Sequence, residues 1–239
     1  MTTSRLRTDA QPVGSRTLEI FEGSDRLNRW IYDRFAAELG KRVLEIGAGI
    51  GNITQFMTER ELVVATDIEE SYVTRLRERF NSHSAVTVRQ LDLDAPDPDF
   101  AQFNFDSVLA VNVLEHIDDD RSVLQWLRKL VGKGGKVCLY VPALQALYGS
   151  MDRALGHYRR YEKPELLEKL SEAGFRCVWC KWMNALAVPG WYLSGRVLKR
   201  TVVSAKQVAL YDRMVPWLRL EDRVRLPFGM TLTVTAVGV

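Results

Sequence analysis

With three cysteines in 239 residues, no disulfide framework is possible, and the shortage points to a reducing compartment. Cys177 and Cys180 do form a C-x-x-C, in "FRCVWCKW". That segment reads as a strand, where residues three apart point to opposite faces, and no second pair completes a zinc site. Both are therefore read as structural thiols, and no metal is expected. Long apolar runs are missing as well. The longest, "MNALAVPGWYL", falls short of the roughly 20 residues that a membrane span requires. The opening "MTTSRLRTDAQPVGSR" has no apolar h-region, so residues 1–16 read as a disordered lead-in and not as a secretory signal. A cytoplasmic location is expected. A strong charge of one sign is also lacking: a net +3 does not argue for nucleic acid as a partner. Internal repeats and low-complexity tracts are absent.

What remains is an ordinary globular composition, 46% hydrophobic and 26% charged, sufficient for a core of normal size. "DRLNRWIYDRFAAELG" carries Leu27, Ile31 and Phe35 at four-residue spacing, with Gly40 placed to end the helix. "RVLEI" is nearly all apolar, as in a strand buried on both faces of a parallel sheet. A helix pattern follows with Ile53, Phe56, Met57 and Arg60 at three- and four-residue spacing. The alternation continues: strand "LVVAT", helix "EESYVTRLRERF" with a Tyr72, Leu76, Phe80 stripe, strand "VTVRQL", acidic loop "DLDAPDPD", strand "DSVLAV". Helix "DDDRSVLQWLRKLVG" has aspartates at its positive end and cations near its negative end. Strand "KVCLYV", helix "KPELLEKLSEAG", and strands "RCVWCKW" and "TLTVTAVGV" complete the chain. Strands alternating with helices predict a three-layer α/β sandwich on a mainly parallel sheet, as one domain over residues 17–239. Residues 183–227, rich in aromatics and arginines, read as an insertion before the last strand.

"LEIGAGIG", Leu44 to Gly51, lies where the first strand ends, the place where open α/β sheets bind ligands. Its glycines permit positive φ and close approach of a ligand to the backbone. A dinucleotide fold wants G-x-G-x-x-G, and Asn52 stands where the third glycine belongs. Glu45 lies inside the motif and would repel a pyrophosphate, but it would attract an ammonium or a sulfonium. S-adenosylmethionine carries both. Asp67 ends the second strand, where a carboxylate can accept from both ribose hydroxyls. Asp92, preferred over Asp94, is placed for an adenine amino group beside the Leu93 backbone. Asn112 ends the fourth strand.

With "VLEIGAGIGNIT", "ATDIEE", "LDLD" and "FDSVLAVNVLEHI" in this order and spacing, the chain resembles the class I S-adenosylmethionine-dependent methyltransferases from about Asp25 to Ala185 and in the final strand. The resemblance implies a Rossmann-like, seven-stranded sheet whose last strand is antiparallel. It implies S-adenosylmethionine as cofactor and S-adenosylhomocysteine as product. It also implies a pocket lined by Glu45, Gly47, Ala48, Gly49, Asn52, Asp67, Ile68, Asp92, Leu93, Asn112 and Val113. Gly51 is assigned to packing.

Methyl transfer from a sulfonium is an in-line displacement. Positioning can supply about 7–11 kcal/mol, more than a single base usually does. His83 is read as a surface residue. His116, in "VLEHI", either orients the site or caps the next helix. His157, in "YGSMDRALGHYRRYEKPEL", gathers Tyr148, Tyr158, Tyr161, Arg159 and Arg160 after the fifth strand. One reading makes it a base for a hydroxyl, with Tyr148 and Tyr158 lining the acceptor and Arg159 or Arg160 holding an anionic group. The other makes the segment a solvated basic loop. The insertion, with Trp182, Trp191, Tyr192 and Trp217, reads as a lid or as a surface for peripheral membrane contact. The expected activity is O-methylation of a small molecule in natural-product, sugar or lipid-carrier metabolism. N- or C-methylation, a macromolecular acceptor, a non-catalytic cofactor-binding module and a nicotinamide dehydrogenase are the alternatives.

Overall fold

Val43, Leu44, Glu45 and Ile46 are four consecutive buried residues, and burial on both faces requires a central parallel strand. In the computed structural model, which describes residues 23–202 and 204–239, β1 (Arg42–Ile46) lies between two parallel neighbours. These are β2 (Leu62–Asp67) and β4 (Ser107–Val111). With β3 (Val86–Gln90), β5 (Lys136–Pro142), β6 (Phe175–Met183) and β7 (Thr231–Gly238) the sheet order is β3-β2-β1-β4-β5-β7-β6. β7 is antiparallel to both β5 and β6, as expected for the last strand. The lead-in of residues 1–16 lies outside the described residues.

Two apolar layers fix the sheet. On one face Leu27, Trp30, Ile31 and Phe35 of α1 (Asp25–Phe35) pack with Val43, Val63 and Leu109. On the other, α3 (Asp120–Val131) and α5 (Lys163–Glu172) bury Val123, Leu124, Leu127, Leu166 and Leu170 against Leu44, Val108 and Val137. α2 (Glu70–Phe80) closes the β2 end with Val73, Leu76 and Phe80, and Tyr72 is only half-buried. α3 is capped by the Asp119 carboxylate, which accepts from Ser122 N at 3.1 Å, and ends at Gly132 with φ 66°.

Three expectations are corrected. The helix read from Ile53 to Arg60 is a single 3-10 turn, Thr54–Phe56. Tertiary bonds override its periodicity: Thr54 donates to the buried Glu45, and Arg60 donates to the Ala36 and Leu39 carbonyls at the end of α1. Cys177 and Cys180 share one face, because a bulge at Val178 shifts the register; Cys177 pairs with Ala236 and Cys180 with Val234. Both pack on the same core layer, with their thiols pushed above the ordinary range by burial. Trp182 belongs to β6 and not to the insertion.

The segment between β6 and β7 carries two helices, α6 (Val188–Tyr192) and α7 (Ala205–Leu218), with α4 (Ser150–Leu155) beneath the first. Ser150 Oγ donates to the Gly195 carbonyl at 2.9 Å, Arg196 donates to the Tyr148 carbonyl at 3.0 Å, and the Arg160 guanidinium lies 4.9 Å from the Trp191 ring centre. Tyr192 and Trp217, by contrast, are exposed.

Candidate active site at the strand carboxyl ends

β1 and β4 are neighbours from which the chain departs toward opposite sheet edges, so a crevice opens beyond their carboxyl ends. The glycine loop leaves β1 there with Gly47 at φ 68° and Gly49 at φ 57°. A Cβ on Gly47 would overlap the Val113 side chain, so two loops meet at a residue that must lack one. Gly51 faces Phe80 and Leu76 of α2, which makes it a packing glycine.

The acidic groups of this crevice are held in place by the backbone. Asp67 Oδ2 accepts from Gly49 N at 2.9 Å and Oδ1 from Glu69 N at 3.0 Å. Burial raises the Asp67 pKa against those two hydrogen bonds. Glu45 is 3% exposed; its Oε2 accepts from Thr54 Oγ1 at 2.6 Å, and burial pushes its pKa up to about 7. The Asn52 side-chain oxygen is buried without a partner. Carboxylates and an orphaned carbonyl oxygen make a cradle of acceptors, which suits an ammonium or a sulfonium and not a pyrophosphate. Asp92 lies at the next strand end, exposed, with Oδ1 accepting from Asp94 N at 2.9 Å. Leu93 and Ala48 are buried, and Ile68 is exposed at the β2 end. Asn112, at φ 53°, turns the chain out of β4 toward Val113.

Two residues beyond Asn112 the chain begins a 3-10 turn, Leu114–His116, and here the second group of site residues assembles. Tyr158 N donates to the Glu115 carbonyl at 2.8 Å, which sews the segment after α4 onto this turn. The His116 and His157 rings stand edge to face with centres 4.7 Å apart. His157 Nδ1 lies 3.2 Å from Asp152 Oδ1, and Nε2 lies 4.0 Å from Glu115 Oε1. Glu115 is fully buried, both its oxygens lack hydrogen-bond partners, and burial pushes its pKa up to about 7 against the opposing pull of His157 and Arg160. Burial and the adjacent His157 bring His116 down to about 4, so its imidazole is neutral. His116 does not cap α3; it faces His157 and hydrogen-bonds the Gly156 backbone.

The expected arginine roles do not fit this geometry. Arg160 is 2% exposed, with Nε donating to Asp152 at 2.7 Å and Nη1 to the Ala143 carbonyl at 3.1 Å. Arg159 pairs with Asp120 at 2.9 Å and Asp118 at 3.3 Å. Both brace the segment. Tyr148 donates to the His157 carbonyl at 2.7 Å, Tyr158 is exposed, and Tyr161 is buried with its hydroxyl 2.7 Å from Asp120. His83 lies in an exposed loop as expected. Sequence reasoning missed Glu115, Asp120 and Asp152. Glu115 stood inside "LEH" but reads as a surface acid, and nothing along the chain shows that Asp152 lies under His157.

A family model described as a methyltransferase domain matches residues 44–137, the stretch from the glycine loop through β5. Over that stretch, somewhat under half of its length, the chain is similar to methyltransferase domains. It is 26% identical over 174 residues to an O-methyltransferase of Aspergillus sclerotiorum, covering 69% of this chain and 65% of that protein. It is 35% identical over 113 residues to a ubiquinone biosynthesis O-methyltransferase of Pseudomonas aeruginosa, covering 46% and 47%. The chain thus spans less than two-thirds of the length of these relatives. The fold extends further than the sequence match. A methyltransferase from Haloferax volcanii, solved with its Trm112 activator, superposes with a TM-score of 0.65 at 16% identity, covering 98% of this chain and 97% of that one. A Mesorhizobium loti methyltransferase gives 0.57 at 17% identity, covering 86% and 96%. The methyltransferase fold agrees with the expectation from sequence.

Proposed function

We propose that this methyltransferase moves a methyl group to a hydroxyl oxygen of a small acceptor, activated at the Glu115–His116–His157 group. The observation that carries the reading is the edge-to-face pair of imidazoles, His116 four residues past Asn112 and His157 brought against it by the segment after α4, beside the crevice that the glycine loop forms. Bound S-adenosylmethionine supplies an electrophilic methyl on a sulfonium. The protein's own work is then binding, orientation and exclusion of water.

Glu45 and the free oxygen of Asn52 receive the positively charged end of the cofactor, Asp67 its ribose, and Asp92 with Leu93 its base. Gly47, Ala48 and Gly49 give the backbone approach, with Ile68, Asn112 and Val113 at the rim. Asp152 fixes the His157 ring through Nδ1, so that Nε2 is the nitrogen presented to the site. Because Arg159 and Arg160 are already paired, the acceptor group that enters here is an uncharged hydroxyl. Tyr148 shapes the wall by holding the His157 carbonyl, and Tyr158 is available for the ring or chain of the acceptor. Residues 183–227, bonded to the α4 segment through Gly195 and Arg196, cover the acceptor side as a lid. Among the described residues no helix is long and apolar enough to cross a membrane.

Support from relatives is chemical class only: the two curated proteins above are O-methyltransferases. Calorimetry with S-adenosylmethionine, followed by transfer of a labelled methyl to a panel of hydroxylated and carboxylated metabolites, tests the proposal. Label on a hydroxyl oxygen supports it. Label only on nitrogen or carbon, or cofactor binding with no transfer to any acceptor, overturns it in favour of another methyltransferase class or a binding module.

A further inference from the structure

Glu115, His116 and His157 bring one oxygen and two ring nitrogens within 4.8 Å of one another. Three features distinguish this group from a satisfied polar core. The Glu115 carboxylate is fully buried and neither oxygen has a hydrogen-bond partner, whereas buried polar atoms are nearly always paired. His157 Nε2 stays 4.0 Å from Glu115 Oε1, beyond hydrogen-bond reach. Each imidazole is also anchored from behind: His157 by Asp152 at Nδ1, and His116 by the Gly156 backbone. A ligating histidine characteristically gives its second ring nitrogen to a carboxylate or a backbone carbonyl, which fixes the tautomer and aims the free nitrogen.

Other candidate groups fall short of this. Cys177 and Cys180 share a face but have no third ligand among the described residues. The exposed apolar residues of α7 have no occupant that the structure identifies. Asp118, Asp119 and Asp120 are taken up by Ser122, Arg159, Tyr161 and Lys169.

We infer that Glu115, His116 and His157 form a binding site for one divalent first-row transition cation. Two imidazoles and one carboxylate, leaving open positions, suit iron(II), cobalt(II), manganese(II) or zinc, and this ligand set disfavours magnesium or calcium, which prefer all-oxygen shells. The site reverses the sequence-based expectation of no metal. The cation neutralises the buried Glu115 charge and offers open positions to the oxygen of an acceptor, which favours substrates with a hydroxyl beside a second oxygen. That role rests on the methyl-transfer reading; the binding itself does not.

Cobalt(II) chloride added to the metal-stripped protein is the direct probe. The expected result is one equivalent bound, with visible d–d absorption of a nitrogen- and oxygen-ligated cobalt. Glu115→Gln and His157→Gln, each checked by circular dichroism, are expected to weaken binding at least tenfold. S-adenosylmethionine affinity should change less than threefold in both, since their contacts lie outside the cofactor cradle. Absence of cobalt binding in the parent protein, or unchanged affinity in both folded variants, overturns the site. Failure of the methyltransferase reading shows differently: S-adenosylmethionine does not bind whether or not cobalt does.

Discussion

Asp67 accepts the backbone N–H of Gly49 at 2.9 Å across the mouth of the crevice. One carboxylate therefore holds the glycine loop and, in the proposed complex, the ribose of the cofactor.

Asp67→Ala removes an acceptor for two backbone N–H groups and for the proposed ribose hydroxyls. Hydrogen bonds to a charged group are worth about 1.5–3 kcal/mol each. S-adenosylmethionine affinity is expected to fall at least tenfold by calorimetry, with a small drop in Tm from the loosened loop. Unchanged affinity would move the ribose contact elsewhere.

Gly47→Ala places a side chain at φ 68° and against Val113. The left-handed conformation alone costs roughly 1–2 kcal/mol. Denaturant unfolding should show at least that loss, and Val113→Ala in the same chain should recover only the steric part. Full recovery would mean that the positive φ is not required.

Glu45 carries a pH dependence whose sign is fixed. Its folded pKa of about 7 exceeds the ordinary 4.5 through burial, with Asp67 adding repulsion and Thr54 opposing. The folded state binds the proton more tightly, so the stability is fully present below pH 4.5 and is lost as pH rises through 7. Over that window the cofactor-free protein should lose up to about 3 kcal/mol relative to Glu45→Gln. Parallel Tm profiles for the two proteins between pH 5 and pH 8 would sink the assignment.

Arg160 and Arg159 should separate cleanly. Breaking the buried Arg160–Asp152 pair leaves a lone charge, which typically costs 3–5 kcal/mol, so Arg160→Ala should unfold at far lower denaturant. Arg159→Ala, near the surface, is expected to cost about 1 kcal/mol or less. If the two losses were equal, Arg160 would not be a brace.

His157→Ala is expected to leave S-adenosylmethionine binding intact and lower turnover by about 10² to 10⁴. A change confined to KM would make the residue a positioning group, and no change in either constant would place the acceptor elsewhere.

Much of this molecule could be read from local pattern. The bounds of β1 and α3 follow from an unbroken apolar run and from the aspartates and cations at the two ends of the helix pattern. The Glu45 to Gly49 loop was legible because a glycine motif with an acid inside it discriminates between ligand charges. What escaped depends on distant contacts. The turn at Thr54 was read as a helix because Ile53 and Met57 keep helical spacing, while the bonds that tighten it come from Glu45 and from α1. The Glu115–Asp152 surroundings of His157 were invisible because residues 37 apart meet only after β5 has returned the chain. Arg160 looked like a substrate ligand because "RR" in a loop normally faces water.

The extra residue at Val178 has a consequence for how the chain is routed. Phe175 and Cys177 point to the layer of α3 and α5, and in an unbroken alternation over the same residues the odd-numbered Met183 would do so too. Instead Met183 points to the layer of α1, and the chain leaves β6 toward that layer, where Asp212 of α7 accepts from Leu27 N at 2.9 Å. The bulge residue therefore works as a railway point. An unbulged strand of the same length would dispatch residues 184–230 from the opposite side of the sheet, whereas deleting residue 178 straightens β6 and leaves Cys180, Trp182 and Met183 on their present faces.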